Sequence, residues 1–309
     1  MQQASLLLLS PPPRHAMRFI LALSLIGSAF ATAKTCSARG GCSCDCSWAA
    51  SGCSHFKDDG SCCFGCCCVP QPAPTPAPAP TPPPTPNANA TLYCPGQNDW
   101  TFSSSTWDGD GYVIVGPGSV HGKASFNLLG GFVEFDMDPT NTTGEVNTNF
   151  YTTSPAKCCD YCDIQRSAPC MEMDIIENNA NCAMATTWHT DADHNGGCDR
   201  GGCAGHSQLP GGAFHMRADF SMDGTMTTTL NGKEVPVGSS KAGALDKARG
   251  IVKSTMESVG AMFQSSQWQG WVPSGQGCPP KGDLSKSRFA VRNVKVMGVL
   301  LQGQEPQKC

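Results

Sequence analysis

Met171-Glu172-Met173-Asp174-Ile175-Ile176-Glu177 places three carboxylates within six residues of an otherwise apolar run. Met171, Met173 and Ile175 alternate with Glu172 and Asp174, the period of a β-strand with one apolar and one acidic face. Strict alternation would turn Glu177 to the apolar face, where a carboxylate is costly. One extra residue in the strand, a β-bulge, returns Glu177 to the acidic face, and bulges are frequent beside active sites. The expectation is a bulged strand whose Glu172 and Glu177 flank one cleft, with Asp174 between them. Crowding raises at least one carboxyl pKa, so one acid stays protonated while another is ionised. A solvated acidic strand edge and a calcium site are the alternatives that this stretch leaves open.

The rest of the chain bears on that choice. It has 309 residues, 15% charged, with 34 Gly, 24 Pro and 20 Cys. Sparse charge with abundant Gly and Pro indicates a loop-rich β protein. A net charge of −4 with no basic run argues against nucleic-acid binding and against a polybasic membrane patch. Residues 17–33 read as a secretory signal: Arg18, then an apolar core from Phe19 to Ile26, then Ala31-Thr32-Ala33 as a cleavage site. That run is short for a membrane span, and Met17 is a candidate start. The expected product is soluble, extracellular or in a cell wall, with no membrane attachment after cleavage. Its ten cysteines from Cys36 to Cys68 and ten from Cys94 to Cys309 fit an oxidising compartment, and each even-numbered group can pair internally.

Three regions follow the signal. Residues 34–69 form a Cys-rich module with too few apolar residues for a core, so disulfides must hold it. With His55 it has the ligand types for zinc, which the compartment disfavours. Its Trp48, Phe56 and Phe64 suit either stacking on sugar rings or filling a small core. Residues 70–90 are a Pro/Thr-rich linker, an extended polyproline spacer with threonines suited to O-glycosylation. Residues 91–309 form the main domain. Strand-like runs there are Gly111–Val115, Lys123–Leu129 ended by Gly130-Gly131, Phe132–Asp138, Phe214–Phe220, Thr225–Leu230 and Phe289–Leu300. Met222-Asp223-Gly224 and Asn231-Gly232 mark turns. The helix candidate is Ala242–Glu257, weakened by Gly243 and Gly250. Glu134, Asp136 and Asp138 make a second acidic strand that keeps strict alternation and needs no bulge, so it reads as a solvated face. Asn89-Ala90-Thr91 and Asn141-Thr142-Thr143 are N-glycosylation sequons.

At this point several stretches match one group. Glu172-Met173-Asp174-Ile175-Ile176-Glu177 resembles the E-x-D-x-x-E signature of glycoside hydrolase family 16 (laminarinases, lichenases, xyloglucan endotransglycosylases). It is also similar to the E-M-D-I-W-E run of family 7 cellulases, which share the jelly-roll architecture. Thr187-Trp188-His189-Thr190 resembles the histidine-containing strand that follows the catalytic one. Phe214-His215-Met216-Arg217-Ala218-Asp219-Phe220, then Asp223-Gly224 and Asn231-Gly232-Lys233, resembles the family 16 pattern FHxYxxxW…DG…DGK, with Phe220 for the usual Trp and Asn231 for the usual Asp. Met262 to Trp271 resembles the late xLWxxxxWAG strand, and Phe289 to Val296 the closing strand. The resemblance covers roughly residues 92–298.

The resemblance implies roles for the matching positions. Glu172 would be the nucleophile, Glu177 the general acid and then base, and Asp174 the residue between that tunes both. Carboxyls about 5–5.5 Å apart fit the retaining route. Trp188, Trp268 and Trp271 would floor the cleft and stack on sugar faces, core packing being the alternative for each. His189 would bond the acidic cluster or a sugar hydroxyl, with a satisfied buried histidine as its alternative. Cys158, Cys159, Cys162 and Cys170 before the strand, and Cys182, Cys198 and Cys203 after it, depart from the family pattern. Bridged loops there would shape the cleft rims. A zinc site from His194, Cys198, Cys203 and His206 is the other reading.

The expected protein is therefore all-β: a concanavalin A-like β-jelly-roll sandwich preceded by a small disulfide-rich module. The expected function is a secreted retaining endo-β-glycanase acting on β-glucan-type polysaccharide. It would work as a monomer, with no cofactor, no metal and no nucleic-acid partner. A transglycosylase using the same covalent intermediate, and a non-catalytic carbohydrate-binding or wall protein, are the rivals. Retention of all three carboxylates counts against the latter.

Overall fold

A computed structural model describes residues 86–155, 171–190, 198, 202–275, 277–279 and 282–309. The signal, the Cys-rich module and most of the linker lie outside these residues. So do Cys158, Cys159, Cys162, Cys170 and His194.

Alternating apolar residues and short turns produce strand after strand. In chain order these are β1 (Thr91–Tyr93), β2 (Trp100–Asp108), β3 (Gly111–Asp138), β4 (Val146–Thr153), β5 (Glu172–Asn179) and β6 (Ala183–His189). Then come β7 (Cys203–Gln208), β8 (Phe214–Phe220), β9 (Met226–Leu230), β10 (Lys233–Glu234), α1 (Ala244–Ser258), β11 (Ala261–Gln269) and β12 (Arg288–Gly303). The order of neighbours is β10-β9-β8-β3-β11-β4-β5-β6-β7, with β2 and β12 also on β3 and β1 on β12. This is the expected all-β jelly-roll, an antiparallel sheet curled back on itself.

The long strand β3 makes the curl. Its first part pairs with β2 and β11, and its last part, Gly131 to Met137, pairs with β8. The sequence suggests three separate strands here, divided at Gly130-Gly131, but the chain runs through. Gly130 takes φ +71°, which bends the strand. Gly131 lies directly on the Met297 carbonyl of β12, where no Cβ fits. The glycines bring β3 against β12 rather than ending it.

The core fills the space inside the curl. Phe135, on the β8-paired part of β3, stacks on Phe150 of β4 at 4.2 Å. Phe263 of β11 joins Phe150 and Phe126 at 5.7 and 5.9 Å. Each such buried ring is worth about 2–3 kcal/mol of transfer free energy. Helix α1 begins two residues later and ends one residue later than expected. It buries Ala244, Ala248, Val252 and Met256, a single i, i+4 stripe, and packs against β3. Asn231 and Gly232, both at positive φ, turn β9 into β10, with Leu230 opposite Lys233.

The second acidic strand is not simply solvated. Glu134 binds Arg217 at 2.7 Å and Lys295 at 3.0 Å, and Asp136 binds His215 and Asn293. Burial alone would raise the Glu134 and Asp136 pKa values, but hydrogen bonds and cations outweigh it and hold both low. These carboxylates are structural ion partners. Asn89 and Asn141, the two sequon asparagines, are exposed.

Candidate active site

The site is built on β5, between β4 and β6. On β4, Phe150 stands opposite Ile176 and Tyr151 opposite Asp174, so Ile175 has no partner of its own. On β6, Thr187 stands opposite Asp174 and Ala185 opposite Glu177, so Ile175 and Ile176 together face Thr186. This two-against-one count is a β-bulge. Met173, Ile175 and Ile176 all join the apolar core. With two consecutive residues turned inward, Glu177 returns to the face of Glu172 and Asp174, as the apolar-acidic pattern required.

Directly opposed residues on neighbouring strands share a face. That face therefore carries Thr153, Tyr151, Asn149 and Asn147 from β4 and, beyond them, Met262, Gln264, Ser266 and Trp268 from β11. Glu172, Asp174 and Glu177 are 2, 3 and 9% exposed. Tyr151 senses all three: burial first, then the charges of Glu172, Asp174 and Glu177, push its phenol pKa up. His189, opposite Glu172 on β6, reaches Asp174 Oδ2 with Nε2 at 3.2 Å.

Glu177 is the perturbed acid. Burial, and then the neighbouring Asp174 carboxylate, push its pKa up to about 8, against the opposing pull of the Asn147 hydrogen bond and of His189. At neutral pH it holds a proton. One face thus presents a protonated carboxyl and two further carboxyls on the same strand. That is the equipment for protonating a leaving group while a second carboxylate attacks.

No protein-family model matches the chain, and no curated protein matches it. Similar solved structures include the Humicola insolens endocellulase EGI, with 16% identity, 62% of this chain and 77% of that one covered, and a TM-score of 0.45. LamAcat from Zobellia galactanivorans has 10% identity, 67% and 93% coverage and a TM-score of 0.45. The β-agarase A of the same organism has 13%, 68% and 88%, and 0.41.

The tryptophans divide. Trp188 stands opposite Met173, is 1% exposed and belongs to the core. The expectation that it floors the cleft is corrected: it sits one residue from His189 along β6, so its side chain points to the other side of the sheet. Trp268 stands opposite Asn147 on the carboxylate face and is half-buried, with the Gly270 backbone packed on its ring. Trp271, just past β11, is 51% exposed.

Cys198 and Cys203 are bonded to each other, so they are not thiolate ligands for zinc. Cys182 is bonded to Cys278, and Cys94 to Cys309. Among the described residues, no group of three or more His, Cys, Asp or Glu is placed to hold a metal ion.

Sequence reasoning missed the polar floor beside the carboxylates. Tyr151 Oη donates to Gln264 Oε1 at 3.0 Å, and Gln264 Nε2 donates to Thr153 Oγ1 at 2.6 Å. Asn149 Oδ1 accepts from the Ser266 amide and hydroxyl at 2.7 and 3.1 Å. Asn147 donates to Glu177 Oε1 at 2.9 Å. The signal was available: Asn147, Asn149, Tyr151 and Thr153 recur at every second position of β4.

Proposed function

We propose that the protein is a secreted retaining glycoside hydrolase that cleaves within β-glucan-type chains. The observation that carries this reading is the bulge at Ile175-Ile176. It brings Glu177, a carboxyl protonated up to about pH 8, onto one face with Glu172 and Asp174.

In the first step the Glu172 carboxylate attacks the anomeric carbon. The glycosidic C–O bond breaks, and Glu177 gives its proton to the departing sugar oxygen. The product is a glycosyl ester on Glu172, with Glu177 now ionised. In the second step Glu177 takes a proton from a water molecule as that water attacks the anomeric carbon, releasing the sugar and restoring both carboxyls. Asp174 lies between them, held by His189, and its charge keeps the Glu177 proton bound until a leaving group claims it. Half-buried Trp268 and exposed Trp271 offer ring faces to a sugar chain, and the Asn, Gln, Ser and Tyr groups of β4 and β11 suit its hydroxyls.

The test is to incubate the purified protein with laminarin, mixed-linkage glucan, xyloglucan, cellulose, agar and carrageenan and to analyse products, with Glu172→Gln as control. Shortened chains from one or more of these, absent with the variant, are expected. No product on any polymer, or undiminished turnover by the variant, sinks the reading. Products longer than the starting chains would identify transfer to a sugar acceptor.

A further inference from the structure

Asn147 is fully buried at the start of β4, and its hydrogen-bonding capacity is spent in an ordered way. Its Nδ2 donates to Glu177 Oε1 at 2.9 Å and to the Trp271 carbonyl at 3.2 Å. Its Oδ1 accepts from Asn149 Nδ2 at 3.3 Å, and Asn149 is in turn held by Ser266. A side-chain amide has two N–H donors, and both are used here. The orientation of the amide follows from chemistry. The Trp271 carbonyl can only accept, so the NH₂ end must face it, and the same NH₂ therefore faces Glu177. A flipped amide would set its oxygen against the Trp271 carbonyl and its NH₂ against the Asn149 NH₂.

We propose that Asn147 is a positioning residue that pins Glu177 Oε1 to the loop carrying Trp271, leaving Oε2 as the oxygen that delivers and recovers the proton. The proposal rests on the reading of Glu177 as the acid. An N–H donor binds a carboxylate oxygen, or the carbonyl oxygen of a carboxylic acid, in strong preference to the weakly accepting hydroxyl oxygen of that acid. Oε1 is thus kept in the unprotonated role in both states, and the carboxyl does not rotate between the two chemical steps. The loop past β11 is tied to the same end of β5 twice more. Asn179 Nδ2 donates to the Pro273 carbonyl at 3.1 Å, and Cys182, just beyond β5, is bonded to Cys278. A sugar ring resting on Trp271 and the acid oxygen are thereby held to one frame.

The titrating neighbours of Glu177 are Asp174 and Glu172 on its own strand, His189 on β6, Tyr151 on β4 and, two strands away, His206 on β7. None of these is altered by changing Asn147. The experiment follows the Glu177 carboxyl carbon by NMR titration, assigned with Glu177→Gln, in the wild type, Asn147→Ala and Asn147→Asp. It also compares kcat/KM on the cleaved glucan with that on a dinitrophenyl β-glycoside, whose leaving group needs no proton. Loss of the hydrogen bond to the ionised form raises the Glu177 midpoint by about one unit in Asn147→Ala. The added carboxyl of Asn147→Asp raises it further. The alkaline limb of glucan cleavage moves up with it, and glucan turnover falls about 10- to 100-fold while dinitrophenyl glycoside turnover falls less than about threefold. Asn147→Asp keeps the shape of the side chain and carries the test if Asn147→Ala does not fold.

A Glu177 midpoint unmoved in the folded variants, or equal losses on the two substrates, overturns the proposal. A shifted midpoint in a protein that cleaves no glycan overturns the hydrolase reading instead and upholds the contact, since the titration needs no turnover.

Discussion

At Glu177, burial and charge oppose hydrogen bonding, and burial with Asp174 prevails, lifting its pKa to about 8. A carboxyl whose folded pKa lies above its unfolded value binds a proton more tightly when folded. Its contribution to stability is fully present below about pH 4.3 and is lost as pH rises through about 8. Glu177→Gln removes that loss, because the amide is neutral throughout and its oxygen still accepts from Asn147. In thermal unfolding, the variant should therefore exceed the wild type in Tm at pH 8, with the gap closing towards pH 4. A constant gap across that range would show that Glu177 is not protonated in the folded state. On the proposed reading the same variant should also lose glucan cleavage. In the wild type kcat/KM should decline as pH rises through 8, since the proton donor is then lost, and a pH–rate profile measures it.

At the scale of single elements, β5 was largely legible. Its alternation named the two faces, and the misplaced Glu177 called for a bulge, which the register locates at Ile175-Ile176. Deletion of Ile175 removes the bulge but leaves Glu177 on the face of Glu172 and Asp174, since one inward residue, Ile176, then separates Asp174 from Glu177. The expected result is a folded protein destabilised by about 2–5 kcal/mol in urea unfolding through loss of the buried Ile175 side chain. Strand β4 was not legible in the same way. Its Val-Asn-Thr-Asn-Phe-Tyr-Thr-Thr sequence has few apolar residues, because its core face is occupied partly by Thr148 and Thr152 rather than by aliphatic side chains. Trp188 and Trp271 look alike in sequence and differ entirely in place. Trp188→Ala empties a core site and should cost about 3–5 kcal/mol in urea unfolding. Trp271→Ala should leave the unfolding midpoint within about 0.5 kcal/mol and raise KM for the glucan several-fold. The reverse assignment of these two losses would place the wrong tryptophan at the cleft.

At the scale of the molecule, the chain ends of the sandwich are bound together. Cys94, after β1, joins Cys309, across a separation of 215 residues. Closing so long a loop removes unfolded-state entropy worth roughly 5 kcal/mol in the chain-entropy model. Replacing both cysteines by serine should lower Tm clearly, as measured by calorimetry at constant pH. It should leave the glucan KM unchanged, since Cys94 and Cys309 lie beyond β1 and β12, neither of which pairs with β4, β5 or β11. Disulfides were expected from the cysteine count, but the partners of the described cysteines were not readable: a disulfide needs Cα atoms about 5–6 Å apart, and only the folded sheet sets those distances. The same division holds throughout. Period and turn residues are local, so strands such as β8 and β9, the presence of α1 and the acidic face of β5 could be read residue by residue. Which side of the sheet Trp188 occupies, that β3 runs unbroken past Gly130-Gly131, and that Glu177 keeps its proton were decided only by packing. The deciding contacts come from neighbouring strands, β6 across a short turn and β4 and β12 farther away in sequence, and desolvation exists only once β4 and β6 have closed around the carboxyl.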